Sequence, residues 1–386
     1  MAVAGAAGTP IVVFDAGLTR AETLATAHAP VRALTFTGDG AGLVAATSAG
    51  RVGLLVGLRT ADGARAFSLP LPAVPTAVAS RRDGRSYVVT GTAARDTTGA
   101  AVVLSIVGDP QAALISACRG EPAGLVLGPD AERLYATCPE DTVVEIDLRL
   151  RRRVREVPLA RGPSPAAACG AGPPAVGPGS TVLLIPCRRA GVILKVDRVT
   201  LRTVDVVEAG VVGIHEVAEE ASGTIVALAS GPPPVIVRLD RIGRPAGPPI
   251  ELPAGASRLV ATGHASTAYV SGEGPDGGWL ARVDLAGGTI RVAPIPAGHT
   301  AIAVWPDRTP PVMWFAKSLT NNNNPGPKGP GLWAERRRRH APRTAANARK
   351  LGWNETSRGA SLRLTSRSAI RFPVTAIASN GPAETW

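Results

Sequence analysis

Short apolar runs, each closed by Gly, Pro or Asp, come in groups of four along this chain. The clearest group lies between Glu121 and Gly162. Its first run, Ala123 to Leu127, leads through Gly128-Pro129-Asp130 into a second, Leu134 to Cys138. A short loop then gives Val143 to Asp147, and a charged hairpin gives Val154 to Leu159. Runs of this length bounded by turn formers predict β-strands, because proline presets φ for the turn and aspartate can bond the backbone beyond it.

The group recurs. First strands with their turns appear as VRALTFTGDG (Val31 to Gly40) and PTAVASRRDG (Pro75 to Gly84), and in more divergent form as PSPAAACG, VGIHEVAEEASG and SRLVATGHAS. Third strands end in an apolar residue plus Asp at Ile146-Asp147, Val196-Asp197, Leu239-Asp240 and Val283-Asp284. Equivalent turn positions fall at Asp39, Asp83, Asp130, Gly179, Ala221, His264 and Asp307, spaced 42 to 49 residues apart. Four strands repeated at that period predict the blades of a β-propeller.

The two ends of the chain carry complementary halves of a blade. Pro10 to Pro30 contains a third-strand ending, Phe14-Asp15, and a hairpin after it, whereas His299 to Ser318 reads as a first and second strand with nothing following. Pairing the halves removes the open edge that a broken ring would expose. The expectation is therefore an all-β, seven-bladed β-propeller over residues 10–318 with split-blade closure, followed by a basic, disordered tail over 319–386.

On the PDG-type turn, the LYAT-type second strand and the VxxID-type third strand, the chain resembles the YVTN and WD40-like propeller repeats. The Gly-His and Trp-Asp dipeptides of WD40 blades are absent, so the likeness is greater to the YVTN type. One segment, VWPDRTPPVMWFAKS (Val304 to Ser318), also resembles a blade of the streptogramin lyases.

Composition sharpens this picture at two points. The net charge of +12 looks like a nucleic-acid signal, but from Lys317 onward 13 Lys and Arg stand against 3 Glu, so the ring itself carries only +2. Asn is absent before Leu319 and frequent after it. The tail reads as a disordered extension, with a gene-model artefact or a basic arm built on Arg336 to Arg339 as competing readings; the last implies steeply salt-dependent binding. Cys118, Cys138, Cys169 and Cys187 form no CxxC pair and lack a histidine at metal spacing. They are expected to be free thiols in a reducing compartment, with disulfides as the alternative. Together with the lack of a basic leader before the N-terminal apolar run, this gives a cytoplasmic expectation.

Phosphate loops, nucleophile elbows, HExxH helices and calcium loops are all missing from the sequence. The remaining candidates come from blade geometry. At the position of Gly124 the repeats read Ala33, Ala77, Gly124, Ala166, His215, Arg258 and Ala301. Small residues suit crowded inner strands, so His215 and Arg258 stand out, with Glu216 next in sequence and His299 at the start of the following inner strand. His215, Glu216, Arg258 and His299 are the candidate ligand-binding set; they could hold an anion or work as acid and base, although alternation sends neighbours such as His215 and Glu216 to opposite faces. The leading expectation is a non-catalytic interaction scaffold that binds a protein or peptide on its loop face. The alternative is a propeller enzyme of lactonase or lyase type acting at the channel mouth. No cofactor, metal or membrane is expected, a small ligand is admitted, nucleic acid is restricted to the tail, and the chain is read as a monomer.

Overall fold

Strands in this chain pair almost entirely with their neighbours in sequence, and apolar residues are buried where one sheet faces the next. The computed structural model describes residues 1–304, apart from 51, 82–85, 94–99, 107–112, 160–168, 178 and 263–265. The expected tail, 319–386, and the second strand expected within His299 to Ser318 lie outside the described residues.

Among the described residues, six sheets are four-stranded antiparallel blades, each running from an inner to an outer strand. The first is Val31–Phe36, Gly42–Ala49, Val52–Arg59 and Arg65–Leu71. The second is Ala73–Ser80, Ser86–Ala93, Ala100–Ile106 and Ala113–Cys118. The third is Gly124–Leu127, Arg133–Cys138, Thr142–Asp147 and Arg152–Pro158. The fourth is Ile214–Glu219, Ile225–Ala229, Val235–Leu239 and Ile250–Glu251. The fifth is Ala256–Ala261, Thr267–Gly274, Gly277–Asp284 and Ile290–Ile295. A closing blade combines His299–Ala303 with Ala2–Gly5, Pro10–Phe14 and Ala21–Thr26.

Between the third and fourth blades stands a sheet of three strands, Val182–Cys187, Val192–Asp197 and Thr203–Glu208. This sheet corrects the expectation of seven four-stranded blades. Residues 169–177 run beside Val182–Cys187, but they make only isolated bridges, Ala171 to Cys187 and Ala175 to Leu184. Pro173 and Pro174 lie between those bridges and have no N–H to donate, so a continuous ladder cannot form.

The turns explain the sequence pattern. Asp39 accepts from the Thr37 hydroxyl at 2.6 Å and from the Ala41 N–H at 3.0 Å, which fixes the hairpin between first and second strands. The Asp ending each third strand does the same for the outer hairpin: Asp147 accepts from Leu150 N at 2.8 Å and Asp240 from Arg244 N at 2.8 Å. The bond from the Leu150 N–H holds the Asp147 carboxyl below the usual carboxylate range, and bonds from Thr200 do so for Asp197.

The closure also differs from the expectation in one strand. The second-strand place in the closing blade is taken by Ala2–Gly5. It pairs with His299–Ala303 on one side (Val3 opposite Ile302) and with Pro10–Phe14 on the other (Val3 opposite Val12). Its small apolar residues carry no strand period in the sequence, yet their faces alternate as a strand requires. Ala2 and Ala4 pack with the first blade at Leu34 and Leu43, while Val3 packs with Tyr269 and Leu280 of the fifth. The Met1 amine is buried with them and donates to the Phe14 carbonyl at 2.8 Å; burial pushes its pKa down to about 6, against a pull upward from Asp15.

All four cysteines are paired, which overturns the free-thiol expectation. Cys138, ending the second strand of the third blade, bonds Cys118, ending the outer strand of the second blade; their Cα atoms are 5.5 Å apart. Cys187 holds the equivalent place in the three-stranded sheet and bonds Cys169, with Cα atoms 4.6 Å apart. The first bond staples two blades and the second ties the proline-rich segment to its sheet. By the loop-entropy argument each contributes about 3 kcal/mol.

Val3 has no solvent exposure. Val3→Asp is expected to destabilise the ring by about 3 kcal/mol or more, read as a fall in the urea midpoint. An unchanged midpoint would mean that another segment fills this place in the closing blade.

Candidate functional site

Inner strands carry a β-bulge one residue before the channel position. The register skips Arg32 between Val31 and Ala33, Thr76 between Pro75 and Ala77, His215 between Ile214 and Glu216, and Ser257 between Ala256 and Arg258. In the closing blade it skips Thr300 between His299 and Ala301. A bulge adds one residue to one strand and reverses the faces beyond it. Glu216, and not His215, is therefore the residue equivalent to Arg258.

The turn shows why the sequence misleads by one place. Gly223 N bonds Glu220 O, as Gly40 N bonds Thr37 O, and Ser222 Oγ accepts from Thr224 N as Asp39 accepts from Ala41 N. Ser222 therefore does the work of the turn aspartate, one residue beyond the position expected at Ala221. The Ala166 position moves as well. Ala166 itself lies outside the described residues, and Pro173 holds the equivalent place, since Gly172 N bonds Pro186 O as Ala123 N bonds Thr137 O.

With these corrections the channel is lined by Ala33, Ala77, Glu216, Arg258 and Ala301 around a cavity of about 190 Å³. Arg32 also reaches it. Glu216 is buried, with 8% of its surface exposed. Its Oε1 accepts from Arg258 Nη1 at 3.0 Å, and its Oε2 accepts from the Leu259 N–H. The carboxylate thus joins the fourth blade to the fifth through one charge-assisted and one backbone bond. Arg32 donates from Nε to Ser48 Oγ at 3.2 Å.

The expected set of four is only partly assembled. Glu216 and Arg258 meet in the channel. His215, half-buried on the bulge, has its Nδ1 3.3 Å from the Gly213 carbonyl and does not line the cavity. His299 opens its strand opposite Gly5, and its side chain lies outside the described set. Among the described residues no histidine lines the channel cavity, and no group of His, Cys, Asp and Glu could hold a metal ion. Acid-base chemistry needs a titratable group free to exchange a proton, and the one carboxylate of the described lining is engaged twice. A second buried carboxyl, Glu220, is pushed upward by burial, partly offset by Ser222 and Arg238, and its Oε1 has no partner among the described residues. None of the described cavities includes it.

The loop face carries larger hollows. One of about 660 Å³ lies between the three-stranded sheet and the fourth blade. It is walled by Val192, Val211, Val212, Pro232, Pro233 and Val235, with Glu208 as its charged residue. These come from loops joining second to third strands and from the loop leading into the fourth blade. Another, of about 470 Å³, lies beside Trp279, whose Nε1 donates to Ala254 O at 2.9 Å.

No family model matches this chain, and no curated protein matches it. Among solved structures it is similar to hydrazine synthase of Kuenenia stuttgartiensis, with 13% identity over 72% of this chain and 90% of that one, at a TM-score of 0.58. It is also similar to the Cps50 (Swd1) β-propeller domain of Myceliophteria thermophila, with 13% identity over 76% of this chain and 93% of that one, at a TM-score of 0.55. At this identity the likeness establishes a β-propeller fold with a WD40-like neighbour. No helix among the described residues is long and apolar enough to cross a membrane.

Removing Glu216 leaves the Leu259 N–H without its acceptor. Glu216→Ala is expected to lower stability by about 2 kcal/mol. A double-mutant cycle with Arg258→Ala should return a coupling of about 1 kcal/mol. Additive effects would reduce the pair to two independent contacts.

Proposed function

We propose that this chain is a non-catalytic scaffold whose loop face docks an extended peptide or protein segment bearing an apolar side chain beside a basic one. The observation that carries the reading is the hollow of about 660 Å³ walled by valine and proline with Glu208 at its side. Proline and valine walls keep their shape at little entropic cost, which favours a preformed groove for an apolar anchor. Glu208 supplies the charge preference. Val212, 77% exposed at the rim, is an apolar surface that a partner would cover.

Two further features belong to the same proposal. The three-stranded sheet serves as a seventh blade, with residues 171–175 in the inner place, so that the groove lies between two blades of a complete ring. The resemblance to YVTN-type repeats in the turns and third strands supports that count. The two disulfides favour an oxidising compartment over the cytoplasm.

Selection from a random peptide display library should enrich an apolar-basic motif. Val212→Asp, at an exposed position, should abolish capture of the enriched peptide while leaving the fold intact. Glu208→Lys should invert the charge preference. Selection without a motif, or capture indifferent to Val212→Asp, would sink the proposal. For the compartment, thiol titration of protein unfolded without reductant should find no reactive thiol, and four reactive thiols would restore the reducing reading.

A further inference from the structure

The channel cavity stands apart from the loop-face groove and carries its own charge. The charged residues of its lining are two arginines, Arg32 and Arg258, and one glutamate, Glu216. That carboxylate is already satisfied by Arg258 Nη1 and the Leu259 N–H. Arg258 spends one nitrogen on it, and a guanidinium has five N–H donors in a planar fork. The Arg258 side chain is 46% exposed in its place on the cavity wall. Arg32 comes from the bulge of the first blade, where its Nε bond to Ser48 steadies the stem. The other channel positions, Ala33, Ala77 and Ala301, are small and leave the space open.

We infer that the channel is a binding site for a small monocarboxylate, held between the forks of Arg32 and Arg258 with its apolar end against the alanines. The charge of the lining selects this class. Two positive groups and one negative leave a single uncompensated positive charge, which one carboxylate neutralises. A phosphate dianion would bring a second negative charge beside Glu216, and like charges at close range are unfavourable in a site of reduced dielectric. The planar guanidinium fork also matches carboxylate geometry. Size sets the upper limit. Pockets for drug-sized ligands start near 300 Å³, and this one is about 190 Å³, which suits a ligand of only a few heavy atoms. The position is accessible, because these residues lie at the start of the inner strands, next to the loops of the open face.

The test is calorimetric titration of the full chain with sodium propionate at low ionic strength, with sodium chloride at equal ionic strength as the reference. Saturable binding with a Kd of about 1 mM is expected. Arg32→Gln leaves the Glu216–Arg258 pair untouched and should weaken binding about tenfold, the loss of one charge-assisted bond. Arg258→Gln should do the same or more, and its thermal melt separates loss of binding from loss of fold. Inorganic phosphate should compete poorly; phosphate binding tighter than propionate would overturn the carboxylate assignment. Chloride alone reproducing the heat, or propionate bound equally by Arg32→Gln, would overturn the site.

Discussion

Crowding at the centre of the ring is the constraint on which the rest of this structure depends. Inner strands converge on one axis, and each can place only a small group, or a group paired with its neighbour, at the innermost position. A Cβ at Gly124 would lie 2.6 Å from the Cβ of Pro173, closer than real contacts allow. Alanine fills that place in the first, second and closing blades. Where charged residues occur, at Glu216 and Arg258, they are adjacent and hydrogen-bonded. A lone charge at either position would meet the desolvation penalty without the compensating partner. The same convergence that favours small residues elsewhere therefore brings a charged pair together in the channel.

How much of this is legible in the sequence depends on whether the signal is periodic or relational. The strands, the turn aspartates and the apolar-plus-Asp endings repeat, and each has a local cause: the side-chain oxygen of Asp147 or Asp240 accepts a backbone N–H within the next four residues. The identity of the channel residue in the fourth blade is not legible by counting back from the turn, because Ser222 replaces aspartate one place later than the repeat implies. Counting from the apolar residue that follows the channel position succeeds. Leu34, Val78, Val217, Leu259 and Ile302 each come directly after it, and Val217 points to Glu216. The bulge is the physical reason that a one-residue error matters, since His215 drops out of the ladder there and does not line the cavity, whereas Glu216 does.

Other features are relations between distant segments and leave little local trace. Cys118 and Cys138 are 20 residues apart, but they meet because an outer strand of one blade returns beside a second strand of the next. The strand Ala2–Gly5 has no period of its own; its partners at both ends of the chain make it a strand. The bulkier segment near Val312 matches the second-strand pattern better, so pattern strength alone points away from the strand that is used. In the structure the short connection from Gly5 to Pro10 places Ala2–Gly5 beside its partner with little loop to close, which is entropically favoured.

The two candidate surfaces draw on different physics. The loop-face groove is apolar and is built from turns whose prolines need donate no bond, so it can change residue by residue without disturbing the strands beneath it. The channel cannot. Its residues belong to inner strands, and Glu216 bonds the backbone of the next blade, so any change there acts on ring stability and on ligand together. Arg32 is the exception, because it sits on the bulge and bonds a single hydroxyl. Ligand preference in the channel could therefore shift through Arg32 alone, while Glu216 and Arg258 remain fixed by the demands of closure.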